Sequence, residues 1–584
     1  MELRNLTQDL KSGTYEGVPF EMIENFDQIS RLCDEIDIFA HEYDYNDDLK
    51  FNGYRSMVRI INKFAITSRG TLHQSKQLYH STLEMTRLLL DLTTKLISLH
   101  EERKSRENNN QTRLSSDKME LFLRRLNEFK QSRPVLQDKL KHYWANFSLF
   151  WMNKSCRPMA HLYTIMLSMI CQVPLSLVGA AFREYQGSLI AKLGWTGNAF
   201  FPTNIANYSN NIIFSGISMA KAIRQRVSVQ CITIPRQYEW TVPDNGDRVV
   251  RNPSPLHPQK AIRKSVSARV IRHNGSEPNG TVILHGQGGA FIIDARQMHE
   301  SYLFDWISQL DGAVILNVEY SRPVRYPIAL QEFLDTYLWL TSESEEVAEI
   351  LGFKPQKVVF CGDSAGGHLL FALSLVLRDI QFENPSFIKI YPAAFVGFYP
   401  ALSLIDGNLP SFYMSTLEAF ITPSLLFSII SLYAAGIVYE SECYELDNNL
   451  PVRENDPYSE PSSWQTFYNT WIRREKSWLE CEPEKARERF SKICQKALKP
   501  YMSPAECYDL NLVRDLPLYL ISCEFDPLLD STIELARKWK GQVHLDVLDD
   551  LHHAFLLYSA GDTAKSGALL CLRRLKDSLG LKSY

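Results

Sequence analysis

The run Gly362-Asp363-Ser364-Ala365-Gly366 constrains this chain more than any other. The apolar residues Val358, Val359 and Phe360 precede it and read as a buried strand, and residues 367–373 follow it and read as a helix. A serine between small residues at a strand-to-helix junction takes a sharp, strained turn that lifts its hydroxyl above the sheet edge. The spacing therefore predicts a strand, a tight turn and a helix, with Ser364 exposed at the turn.

A serine hydroxyl is a weak nucleophile at neutral pH, so it needs a base, a group that orients the base, and donors for a developing oxyanion. In the α/β-hydrolase arrangement the chain order is serine, then a carboxylate, then histidine. Residues 516–522 read as a late strand, and Asp526 follows within Glu524-Phe525-Asp526-Pro527-Leu528-Leu529-Asp530. Glu524 and Asp530 are rival acids, but the position just past the strand favours Asp526. Residues 543–548 alternate like a further strand, and His552 and His553 come soon after it. The oxyanion donors are expected in a glycine-rich loop after an earlier strand. Residues 280–284 are that strand and 285–291 that loop, with another strand at 313–318 before the elbow.

These motifs resemble the hormone-sensitive lipase family. Phe291 with His299, the segments Glu319-Tyr320-Ser321-Arg322-Pro323 and Tyr326-Pro327, and Asp526-Pro527-Leu528-Leu529-Asp530 are similar to family motifs. His553-Ala554-Phe555 matches the family's His-Gly-Phe, which selects His553 over His552. Asn52-Gly53-Tyr54-Arg55-Ser56 and the first residues resemble the amino-terminal region of animal members. The resemblance implies a Ser364-His553-Asp526 triad. It implies an oxyanion hole from the N–H groups of Gly289, Ala290 and Ala365, with Gly288 shaping the loop. Two departures stand out: the family's His-Gly-Gly-Gly becomes Gln287-Gly288-Gly289-Ala290. Alanine keeps the backbone donor but resists φ > 0, at a cost on the order of 1 kcal/mol.

The remaining sequence sets the frame. At 584 residues the chain can form two or more domains with large cores. With 63 basic and 67 acidic residues, no global field suggests nucleic acid as a partner. The first ten residues lack the apolar core of a secretory signal, and eleven scattered cysteines without CxxC pairs read as reduced cytosolic thiols. No metal or cofactor is needed by this chemistry. Ile29, Leu32, Cys33 and Ile36, then Met57, Val58, Ile61, Phe64 and Ala65, follow helical spacing, and 78–99 reads as a longer helix ended by a solvated loop from 101. Segment 159–182 reads as a buried helix in preference to a membrane span.

The expectation is a helical amino-terminal domain over 1–254. An α/β-hydrolase catalytic domain follows over 255–584, with a mostly parallel sheet and an insertion at about 403–510. Within that insertion, 412–439 is apolar and suits a cap or lid. Arg263-Lys264-Ser265 is a weak kinase site, and no dense phosphorylation segment occurs. The motifs imply ester hydrolysis. The family resemblance adds intracellular neutral lipid esters as substrates (diacylglycerol foremost, then triacylglycerol, monoacylglycerol, cholesteryl or retinyl esters). It also implies a cytosolic protein recruited to lipid droplets, and a homodimer. The alternatives are a carboxylesterase for small soluble esters, or a droplet scaffold with a weakened hydrolase site.

Overall fold

A computed structural model describes residues 2–74, 79–108, 222–237, 239–244, 248–252, 265–291, 296–322, 326–404, 409–417, 430, 433–434, 495–506, 513, 515–558 and 562–581. Four helices open the chain: α1 (Glu2–Lys11), α2 (Phe20–Phe39), α3 (Gly53–Gln74) and α4 (Tyr79–Asn108). Their apolar stripes meet: Met22, Phe26, Ile29 and Ile36 of α2 are buried with Met57, Ile61 and Phe64 of α3 and Leu89, Leu92 and Leu96 of α4. Helix α4 continues through the charged residues after 101, where the sequence suggested a break. Glu, Lys and Arg are good helix formers on a solvated face. Two of them also find partners: Arg103 pairs with Glu534 at 3.0 Å and Lys104 with Glu42 at 3.2 Å.

The second part is built on an eight-stranded sheet with spatial order β1-β4-β6-β5-β7-β8-β9-β10. The strands are β1 (Val227–Pro235), β4 (Ser265–His273), β5 (Thr281–Gly286), β6 (Val314–Glu319), β7 (Lys357–Asp363), β8 (Ala394–Phe398), β9 (Leu518–Phe525) and β10 (Val543–His552). From β6 to β10 all neighbours are parallel, while β1 and β4 form an antiparallel edge. Every residue of β5, β8 and β9 is buried, as expected for parallel strands covered on both faces. The covering helices are α5 (Arg296–Ile307), α6 (Ile328–Leu340), α7 (Glu345–Leu351), α8 (Ser364–Glu383), α9 (Leu529–Lys538) and α10 (Asp562–Leu579).

The sheet begins at Val227, ahead of residue 255, where composition placed the start of this part. Strand β1 is an edge strand with polar, exposed positions, so its apolar signal is diluted. The Pro- and charge-bearing stretch after it carries a small ribbon, β2 (Trp240–Thr241) with β3 (Val250–Arg251). Trp240 is fully buried, so this stretch packs onto the sheet domain rather than linking to it.

The two parts share one core. Phe525, Leu529 and Ile533, together with Tyr413 and Met414 of a 3₁₀ segment (Pro410–Thr416), are buried among the amino-terminal helices. Segment 159–182 and most of the insertion at 403–510 lie outside the described residues. Of the apolar stretch 412–439, Ile430, Tyr433 and Ala434 pack into the sheet core. Among the described residues, no helix is long and apolar enough to cross a membrane.

Candidate active site

Strand β7 ends at Asp363 and α8 begins at Ser364, whose φ is 49°. Such a left-handed conformation costs an L-residue about 1–3 kcal/mol unless its surroundings hold it. They do so through backbone packing. A Cβ on Gly366 would lie 2.1 Å from the Gly286 carbonyl oxygen, and one on Gly362 would lie 2.9 Å from the same atom. The elbow is folded against the end of β5 so closely that only glycine fits at these two positions.

Ser364, Asp526 and His553 follow the carboxyl ends of β7, β9 and β10, the edge of an open parallel sheet where ligands bind. The Ser364 hydroxyl donates to His553 Nε2 at 2.9 Å, and His553 Nδ1–H donates to Asp526 Oδ2 at 2.9 Å. The other Asp526 oxygen accepts the Leu528 N–H at 2.8 Å, which fixes the carboxylate. Asp526 is fully buried and His553 nearly so, while Ser364 is partly exposed. The Tyr399 ring packs edge-on against the imidazole with centroids 4.8 Å apart.

The rival residues lie elsewhere. His552 is buried, and its Nδ1–H donates to the His553 carbonyl at 2.7 Å. Burial pushes it down to about 4, so it is neutral at pH 7. Glu524 faces Arg59 and the Asp550 N–H. Asp530 accepts the N–H groups of Gly53 and Ser411, both at 2.7 Å.

The loop after β5 turns over the elbow with Gly289, Ala290 and Phe291 at φ 124°, 56° and 62°. Ala290 thus occupies the conformation that alanine resists. Gly288 points its N–H inward, to Asp363 Oδ1 at 3.0 Å. A Cβ there would lie 2.5 Å from Asp363 Oδ2. His299 Nε2–H donates to the same carboxylate at 3.1 Å. Burial raises the Asp363 carboxyl, but His299, His285 and the Gly288 N–H outweigh it and hold the group below the usual carboxylate range. Gly289 and Ala290 keep N–H groups with no acceptor among the described residues, and that of Ala365 lies in the first turn of α8, where no intrahelical carbonyl is available. These three donors flank Ser364, while Gly288 serves the loop's foundation.

Gln287 is fully buried and ties this loop to β6. Its Nε2 donates to the Val318 carbonyl at 3.3 Å, and its Oε1 accepts from Arg322 at 3.2 Å. Tyr320 donates to the Gln287 carbonyl at 3.0 Å, and the Arg322 guanidinium lies 4.3 Å over the Tyr320 ring. Sequence reasoning gave no role to Asp363, Arg322 or the amide of Gln287. The one signal was their place inside recognised motifs, beside the residues expected to react.

Two family models match the chain: one described as alpha/beta hydrolase fold, over residues 281–443, and one described as hormone-sensitive lipase N-terminus, over residues 5–125. Bovine hormone-sensitive lipase is 30% identical over 168 residues, 28% of this chain and 21% of that protein. Esterase LipU of Mycobacterium tuberculosis is 30% identical over 176 residues, 29% of this chain and 56% of that protein. A Pyrobaculum calidifontis esterase structure aligns at 19% identity with a TM-score of 0.41, covering 64% of this chain and 94% of that one. The stretch matched in the hormone-sensitive lipases spans about a fifth of their length or less. The chain is hormone-sensitive-lipase-like, with a helical amino-terminal part of that type joined to an α/β-hydrolase fold.

Proposed function

We propose that this protein hydrolyses carboxylic esters through a covalent acyl-enzyme on Ser364. The observation that carries the reading is the unbroken hydrogen-bond chain from Ser364 through His553 to Asp526, beside three backbone donors free to bind an oxyanion. His553 Nε2 takes the hydroxyl proton as Ser364 Oγ attacks the ester carbonyl, and returns a proton to the leaving alkoxide. Asp526 holds the tautomer with Nε2 unprotonated and stabilises the imidazolium. The N–H groups of Gly289, Ala290 and Ala365 receive the tetrahedral oxyanion, each donor contributing about 3 kcal/mol to the barrier. Water then repeats the sequence on the acyl-enzyme.

The likeness to hormone-sensitive lipase supports lipid esters as substrates, with diacylglycerol first and triacylglycerol, monoacylglycerol, cholesteryl and retinyl esters after it. The same likeness favours work at a lipid-droplet surface from the cytosol, as a homodimer. The apolar stretch 412–439 suits a surface that meets lipid, since long-chain esters sit in aggregates. The division into a helical domain over 1–254 and a catalytic domain is proposed with its boundary moved upstream of β1. The test is activity on emulsified long-chain diacylglycerol against a short soluble ester. The lipase reading expects the emulsion to be preferred; activity on the short ester alone makes the protein a small-ester carboxylesterase.

A further inference from the structure

We propose that helix α3 of the amino-terminal part positions the catalytic acid and base, acting through Arg59 and Lys63; this rests on the reading of Ser364, His553 and Asp526 above. The loop that presents His553 is an unfavourable shape for its sequence. Asp550 and Ala554 bracket the two histidines, and both have φ 61°. Between Leu548 and His552 the pairing of β10 with β9 shifts register. Residues 549–551 therefore leave the ladder, and something other than the sheet must hold them.

Helix α3 supplies that hold. The Asp550 N–H is taken by Glu524 Oε2 at 2.9 Å, and Arg59 donates to Glu524 Oε1 at 2.7 Å. Arg59 also pairs with Asp549, and Lys63 pairs with Asp550. Arg59 and Lys63 are four apart and so share one helix face. The Lys63 ammonium also sits 4.6 Å from the centroid of Phe525, the residue before Asp526. At the other end of the acid segment, the Gly53 N–H at the start of α3 donates to Asp530. A Cβ at Gly53 would lie 2.2 Å from the Ser411 nitrogen, so the helix start is seated with no room to spare. One helix thus touches both sides of Asp526 and the residues just before His553.

The partners are unequal. The Arg59–Asp549 pair is solvated, and such pairs contribute little. The Glu524 side chain is only 3% exposed, so its link from Arg59 to the Asp550 N–H is the one that matters most. Lys63 with Asp550 then pins the left-handed residue itself.

The test is the double variant Arg59→Met/Lys63→Met of the full chain, with Arg59→Lys as the conservative control. Hydrogen–deuterium exchange of the peptide spanning 549–556 should rise about tenfold or more in the double variant and far less in the control. On a short ester, kcat should fall about 10–100-fold with KM nearly unchanged, since an ångström of misplacement costs up to that much. A fluorophosphonate should still label every chain, but at a slower rate. Should the double variant not fold, Lys63→Gln, partly exposed, carries the same measurements. Exchange and labelling rates within twofold of wild type would overturn the proposal. So would a loss of activity matched by a loss of labelled sites, which marks unfolding only. Failure of the ester-hydrolase reading shows separately, as no adduct on Ser364 in the wild type, and the exchange measurement still decides the role of α3.

Discussion

Replacing Asp363 with alanine tests whether the oxyanion loop rests on a buried carboxylate. Asp363 is 1% exposed and accepts hydrogen bonds from the Gly288 N–H at 3.0 Å and from His299 at 3.1 Å. Removing it leaves two buried donors without an acceptor, each costing about 1–3 kcal/mol. The loss of one partner from a buried ionic cluster is typically about 3–5 kcal/mol, and we expect Asp363→Ala to fall there. Asp363→Asn should cost less, about 1–2 kcal/mol, because the amide oxygen keeps the Gly288 bond and its NH₂ can donate to His299 in the other tautomer. Gly288 is chained directly to Gly289, so the loop shift should also lower kcat by about 10²–10³, the effect of losing one oxyanion donor. Urea unfolding gives the stability change, and kcat on a short soluble ester gives the catalytic one. If Asp363→Ala unfolds within about 0.5 kcal/mol of wild type, the range of a neutral surface change, and turns over at the wild-type rate, the carboxylate does not support the loop. Asparagine costing as much as alanine would refute the hydrogen-bond argument in particular.

Other perturbations follow from the same geometry. Burial pushes His285, His368 and His552 down to about 4 each. Their unfolded pKa is about 6.5, so the stability they contribute is complete above that pH and is lost as pH falls towards 4, at up to about 1.4 kcal/mol per unit per histidine. His368→Gln should remove about a third of that acid-side slope in urea midpoints measured from pH 7 to 4; an unchanged slope contradicts the assignment. At Ala290, φ 56° makes a β-branched side chain an outlier. Ala290→Val should therefore lose about 1–2 kcal/mol in thermal unfolding and lower kcat. Ala290→Gly relieves strain but loosens the unfolded chain, so its stability should stay within about 1 kcal/mol and its activity should persist. Valine behaving like glycine here would mean the loop is not held in this conformation.

Local chemistry was readable where residue type and chain order coincide. The elbow announces itself because Gly362 and Gly366 are required by contact with β5, a demand that shows in sequence as small residues. The strands before Ser364, Asp526 and His553 are apolar runs because both sheet faces are covered. Edge strand β1 was missed for the converse reason: half its residues face outward and dilute the pattern. Charge content suggested that α4 ends near 101, whereas the same charges pair with Glu42 and Glu534 across the fold. The role of Gln287 was not legible, since its partners Val318 and Arg322 become neighbours only when β6 lies beside β5. The same holds for Arg59 and Lys63, whose partners are hundreds of residues away and leave no local periodicity.

The account stands most directly on whether Ser364 is the nucleophile. Full-length protein should be treated with an active-site-directed fluorophosphonate and mapped by peptide mass spectrometry, beside Ser364→Ala. The account predicts a single adduct per chain on the peptide carrying Ser364, absent in the variant, which should remain folded and lack esterase activity. No adduct on the wild type, an adduct on another serine, or a variant that still hydrolyses esters would contradict it.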